Sequence, residues 1–119
     1  MVEQEVILTQ GGVYIAKLDP AKAAEVGKIR PVVVLNAQAI LDVIPPTVFI
    51  CPLSSQSQPE FSSLHVKLPP RDNLKATSYA LVEHCRSITI RRIVYPRLAQ
   101  LTAAELRVIL HRLQKLIDL

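Results

Sequence analysis

Apolar and polar positions divide this chain into short runs rather than long periodic ones. After Gly11-Gly12, Val13-Tyr-Ile-Ala16 is a β-favouring run that stops at the turn-forming Asp19-Pro20. A mixed charged segment, Ala21 to Ile29, leads into Pro31-Val-Val-Val-Leu35, a β-branched run of the length expected for a buried strand. The weakly apolar connection 37–44 ends at Pro45-Pro46, and Thr47-Val-Phe-Ile-Cys51 predicts a third strand, with Pro52 marking an edge or bulge at its end. Beyond the polar loop 54–58, Leu64-His-Val-Lys-Leu68 alternates as a half-buried strand does, Pro69 to Asn73 turns the chain, and Ser78 to Val82 predicts another strand that Ser87 to Ile90 continues.

One helix stands out. Thr102-Ala-Ala-Glu105 has the capping-box spacing, in which the threonine hydroxyl and the glutamate carboxylate satisfy free N–H groups at a helix start. Leu106, Ile109, Leu110, Leu113, Leu116 and Ile117 then recur at helical spacing as one apolar stripe, which must pack on the sheet or on a second subunit. The pattern predicts a single domain over residues 1–119: a polar N-terminal arm over 1–10, a curved, mainly β sheet, and a C-terminal amphipathic helix over 102–117.

Composition narrows the function classes. Half of the 119 residues are apolar, enough for one core. The formal net charge of +4 favours an acidic partner such as nucleic acid or an acidic peptide. Cys51 and Cys85 form no CxxC or Cys/His spacing, so neither a zinc site nor a disulfide framework is indicated. No basic n-region precedes an apolar stretch at the N-terminus, and Asp42, Pro45-Pro46 and the polar loop interrupt the longest weakly charged region, so the expectation is a cytoplasmic protein that does not span a membrane. Five aromatic residues and no Trp argue against a base-stacking platform, leaving charge and hydrogen bonds to carry any RNA binding.

Candidate chemistry collects at strand ends: 25–30, 54–56 and 83–86. An arginine before a buried strand can offer its guanidinium fork to a phosphate, and hydroxyls directly after a strand are held in place. The alternatives are a surface ion pair of Arg30 with Glu25 or Glu83, and an ordinary serine loop. His65 and His84 are either a general acid/base pair or structural strand histidines. His111 and Arg91-Arg92 read as solvated surface.

Taken together, Val13 to Pro20, Glu25-Val-Gly-Lys-Ile-Arg-Pro31, Cys51-Pro-Leu-Ser-Ser-Gln56, Leu64-His-Val66 and Glu83-His-Cys-Arg-Ser-Ile88 closely resemble the MazF/PemK family of toxin endoribonucleases. The resemblance implies an SH3-like barrel, a homodimer, and sequence-selective cleavage of single-stranded RNA by attack of the ribose 2′ hydroxyl. The products would be a 2′,3′-cyclic phosphate and a 5′ hydroxyl, with no cofactor and no metal. It assigns Arg30 to phosphate stabilisation and proton transfer, and Ser54 to holding the scissile phosphate. Ser55, Gln56, His65, Glu83 and Arg86 fall along the RNA groove, with Glu25 and Lys28 in the loop bordering it. It also implies a cognate antitoxin whose disordered acidic segment covers that groove. Three positions depart from the pattern: Gly12 replaces a common Asp, Ser54 a commoner Thr, and Leu81 stands where the PemK branch has a catalytic Arg. Two other functions fit the same fold: a non-catalytic barrel binding RNA or an acidic peptide, and a gyrase poison like the CcdB toxins, whose Trp-containing tail this chain lacks.

Overall fold

In the computed structural model, which describes residues 6–18 and 28–119, seven strands form one antiparallel sheet. They are β1 (Gly12–Lys17), β2 (Ile29–Val34), β3 (Thr47–Ser54), β4 (His65–Leu68), β5 (Ser78–Leu81), β6 (Arg86–Thr89) and β7 (Ile93–Gln100). A one-turn helix α1 (Gln38–Leu41) and the C-terminal helix α2 (Ala103–Leu116) complete the fold, with 3-10 turns at Pro59–Leu64, Val82–His84 and Ile90–Arg92. The spatial order is β4-β5-β3-β2-β1-β7, with β6 paired to β3. This mainly β sheet with its C-terminal helix is the expected barrel-like architecture, and its end strands β4 and β7 do not pair with each other.

Both faces of the sheet are covered, which is why β2 reads as an unbroken apolar run. Val13, Val33, Cys51, Leu53, Val66, Leu68 and Ala80 point to one core, which Ile109 of α2 completes. Tyr14, Ala16, Val32, Val34, Val48, Ile50 and Ile88 point to the other, closed by Leu8, Leu41 and Ile93. The alternation of Val32, Val33 and Val34 between the two cores is the period-2 geometry of a strand.

The third strand is longer than its sequence suggests. It runs through the buried Pro52 to Ser54, because Pro52 lies where β3 changes neighbours: residues 47–50 pair with β6 and residues 53–54 with β5. A residue with no N–H is tolerated at that gap in the ladder. β7 is a strand the pattern did not predict. It is an edge strand carrying Pro96 and Arg97, its pairing with β1 is interrupted by an irregularity between Val13 and Ile15, and only Ile93 and Ala99 along it are buried. Such an edge strand carries no continuous hydrophobic signature.

Gly12 sits in a tight place. A Cβ there would lie 2.8 Å from the Tyr14 ring and 2.9 Å from the Thr9 carbonyl oxygen, so this chain excludes the side chain expected at that position. α2 begins as predicted: Thr102 Oγ1 accepts from the Glu105 N–H at 3.1 Å, and the Glu105 carboxylate accepts from the Thr102 N–H at 2.9 Å. Only Ile109 of its stripe is fully buried; Leu106, Leu110 and Leu113 pack partly on the core, while Leu116 and Ile117 remain exposed. None of the helices among the described residues is long and apolar enough to cross a membrane.

Candidate functional site

The residue before a proline is restricted to extended backbone, so Pro31 fixes Arg30 in the strand conformation at the start of β2. Across the sheet, Val34 pairs with Ile50, Val33 with Cys51 and Val32 with Pro52. The paired register ends there, and Arg30 and Ser54, each two residues beyond the last pair and Ser54 the last residue of β3, line the same two cavities. The half-buried guanidinium is oriented by Nη1 donating to the Leu53 carbonyl at 3.4 Å. Ser54 Oγ accepts from the Gln56 N–H at 3.1 Å, which folds the following loop back over the strand end.

Arg30 and Ser54 form the shared wall between two surface cavities. One, of about 540 Å³, continues along Ser55, Asn73, Lys75 and Ser78. The other, of about 420 Å³, is lined by Gln56, Gln58, Phe61, His65, Glu83 and His84 among others. The fold therefore brings together Arg30, Ser54, Ser55, Gln56, His65 and Glu83 from four separate stretches of sequence. Arg86 pairs with Ile50 across β6 and β3 and belongs to neither wall. Lys28 is exposed just before β2, with a left-handed backbone (φ 68°), and Glu25 lies outside the described residues.

His65 is buried, and both of its ring nitrogens are engaged. Nε2 lies 2.7 Å from Glu83 Oε2, and Nδ1 lies 2.7 Å from Ser57 Oγ. A carboxylate only accepts, so Nε2–H donates to Glu83, while Nδ1 shares a hydrogen bond with the Ser57 hydroxyl. The turn Val82–His84 between β5 and β6 is what carries Glu83 to that position. His65 thereby ties the loop after β3 to the turn after β5. With both nitrogens committed, it orients its neighbours rather than presenting a free nitrogen to the cavity. Ser57 was not marked by sequence, because the contact depends on a turn that returns the chain beside it.

The two cysteines, distant in sequence, meet behind this wall. The hydrogen bond that the Cys51 thiol makes to Cys85, together with burial, pushes the Cys51 thiol well above its ordinary pKa, and neither cysteine is in a disulfide. Among the described residues, no three His, Cys, Asp or Glu side chains gather as a metal site. A guanidinium and a hydroxyl on one wall between two cavities, with a carboxylate–imidazole–hydroxyl chain beside them, are suited to holding and polarising a phosphodiester.

Comparison with known proteins decides the family. The model of the PemK-like, MazF-like toxins of type II toxin–antitoxin systems matches residues 9–117. The chain belongs to this toxin family. No curated protein sequence matches the toxin closely enough to add to that assignment. Its fold is similar to that of MazF from Deinococcus radiodurans, with a TM-score of 0.81 and 24% identity over 97% of this chain and 100% of that one. It is also similar to the Mycobacterium tuberculosis toxin MazF-mt6, with a TM-score of 0.73 and 18% identity over 91% of this chain and 97% of that one. A MazE–MazF structure from Deinococcus radiodurans aligns with a TM-score of 0.75 at 23% identity, covering 97% of the toxin and 99% of its counterpart.

Proposed function

We propose that the toxin is a metal-independent endoribonuclease acting on single-stranded RNA. The observation that carries this reading is that Arg30 and Ser54 together line both of the adjoining cavities. A strand laid across that wall puts one phosphate between a fixed fork of donors and a hydroxyl. The nucleophile is the ribose 2′ hydroxyl of the substrate itself, so the protein has to align it in line with the leaving 5′ oxygen and stabilise the charge that develops on the phosphoryl oxygens. Arg30 supplies the positive charge and passes an N–H proton to the departing 5′ oxygen while the proton lost by the 2′ hydroxyl restores the guanidinium, so the transfer is proton-neutral. Ser54 anchors a non-bridging oxygen. Gln56 and Glu83 border the path of the RNA, while His65 holds Glu83 and the 57–65 loop in position. The products are a 2′,3′-cyclic phosphate and a 5′ hydroxyl.

Two partners accompany this reading. An antitoxin with an acidic, disordered segment would lie across the groove, in keeping with the toxin's +4 charge and with the MazE–MazF complex among its structural neighbours. A second copy of the toxin would cover the apolar end of α2, where Leu116 and Ile117 are 43% and 59% exposed in the single chain. The cytoplasm, where RNA and such an antitoxin are both present, is the fitting compartment.

The test is incubation with mixed-sequence RNA in EDTA beside DNA of the same sequence. Discrete cuts in the RNA alone, with new 5′ ends that a polynucleotide kinase phosphorylates directly, are expected. Loss of cutting on chelation, or 5′-phosphate ends, would refute the mechanism.

A further inference from the structure

Of the five aromatic side chains, Tyr14 is buried, Phe49 and Tyr79 are partly buried, and the exposed Tyr95 stands edge-on to Tyr14 with ring centroids 6.1 Å apart. Phe61 differs from all of them. It is 43% exposed and lines the cavity that Arg30, Ser54, Gln56 and Glu83 also line. A single exposed phenylalanine is ordinary on a protein surface. Its support is not ordinary. Phe61 lies in the 3-10 turn Pro59–Leu64, and its N–H donates to the Gln58 carbonyl at 3.0 Å. The segment is closed at its base by the 2.7 Å contact between Ser57 and His65, and His65 is tied in turn to Glu83. From the other side, Arg112 of α2 donates to the Ser62 carbonyl at 3.4 Å and to the His65 carbonyl. An aromatic side chain partly open to water is thus carried by a loop fastened at both ends and from beneath, which lowers the ordering cost of stacking something on it.

We infer that Phe61 is a base-stacking residue that takes the nucleobase on one side of the phosphate held at Arg30 and Ser54. The inference rests on the reading of this groove as an RNA site. The neighbouring cavity, with Lys75 and Asn73 on its wall, follows the backbone on the other side. The groove is therefore asymmetric: it grips one flanking base by its face and the opposite flank by charge and hydrogen bonds. A π-face is common to all four bases, so Phe61 contributes affinity and register, and the choice among bases falls to the polar groups around it.

The test measures binding of a random-sequence single-stranded RNA carrying 2′-O-methyl groups, which cannot be cut by 2′ hydroxyl attack. The proteins compared are the parent, Phe61→Ala, Phe61→Leu and Phe61→Trp. Stacking predicts roughly 5- to 150-fold weaker binding for both the alanine and leucine variants, and affinity near the parent's for tryptophan. It also predicts that parent and Phe61→Ala bind an abasic ribose-phosphate strand alike. Leucine binding as tightly as phenylalanine, or an alanine deficit that persists on the abasic strand, would overturn the inference. Cleavage of unmodified RNA by the same proteins separates the two claims. Binding with the stacking pattern but no cutting removes the nuclease reading and leaves Phe61 in its role. Cutting with no dependence on Phe61 does the reverse, and a parent that binds no RNA removes both.

Discussion

Replacing Glu83 by leucine isolates the part played by the buried histidine. In the folded protein His65 is 7% exposed, so its Nε2–H has little water to turn to once the carboxylate at 2.7 Å is gone. A buried donor left without an acceptor costs about 1–3 kcal/mol, and a hydrogen bond to a charged group contributes about 1.5–3 kcal/mol. Glu83 itself is about one-quarter exposed at its side chain, 23%, so part of its interaction is screened and the lower half of that range applies. The expected loss for Glu83→Leu is therefore about 2 kcal/mol. For a chain of this size that lowers Tm by roughly 6–10 °C. Glu83→Gln keeps an oxygen acceptor at the same reach and loses only the charge assistance, about 1 kcal/mol. His65→Leu removes the donor, so adding Glu83→Leu to it should cost much less than Glu83→Leu alone. The assay is a double-mutant cycle by urea denaturation, with a coupling energy of about 1.5 kcal/mol expected between the two sites. Additive effects within about 0.5 kcal/mol would show that the pair does not hold the loop, and the positioning role given to His65 would fall with it.

Three further outcomes follow from other parts of the fold. Arg71 holds the Glu105 carboxyl at a pKa of about 2, below its ordinary 4.5, aided by the Thr102 N–H; a lowered carboxylate pKa adds stability above pH 4.5 that is lost as pH falls toward 2, so Glu105→Gln should flatten that part of a Tm-against-pH profile, by about 1–2 kcal/mol at this partly buried pair. Gly12→Ala should destabilise by about 1–3 kcal/mol in urea unfolding, because the new methyl meets the Tyr14 ring and the Thr9 carbonyl oxygen. Ile117→Asp, at an exposed apolar position, should leave the monomer's stability within about 0.5 kcal/mol and shift sedimentation from a dimer to a monomer; an unchanged dimer would place the subunit interface elsewhere.

What the sequence made legible followed from physical signals that are local. The capping box at Thr102 and Glu105, the unbroken valines of β2 and the alternation at residues 65–68 each carry their own periodicity, and the structure has a helix or strand at each. The end of β3 is not legible locally, because proline is a local stop signal while the gap in the ladder that tolerates Pro52 is a property of several strands together. β7 was invisible because an edge strand interrupted by Pro96 buries few side chains. At the site, the motifs around Arg30, Ser54 and Glu83 were legible as chemistry, but their meeting depends on strand register. Ser57 and Phe61 had no motif at all. A serine becomes a histidine's partner, and a phenylalanine a groove wall, only when the turn at 59–64 sets them there. The same holds for the thiols of Cys51 and Cys85, which no spacing rule would bring together.

The most direct measurement is the single-turnover cleavage rate of one mapped RNA site by the parent, Arg30→Ala and Arg30→Lys in EDTA. Removing a fixed donor of positive charge from the transition state should slow cleavage by about 100- to 1,000-fold, with the lysine variant recovering only part of it because an ammonium does not reproduce the guanidinium fork. An Arg30→Ala protein, folded as judged by its urea midpoint, that cuts as fast as the parent would contradict the assignment of catalysis to the wall formed by Arg30 and Ser54.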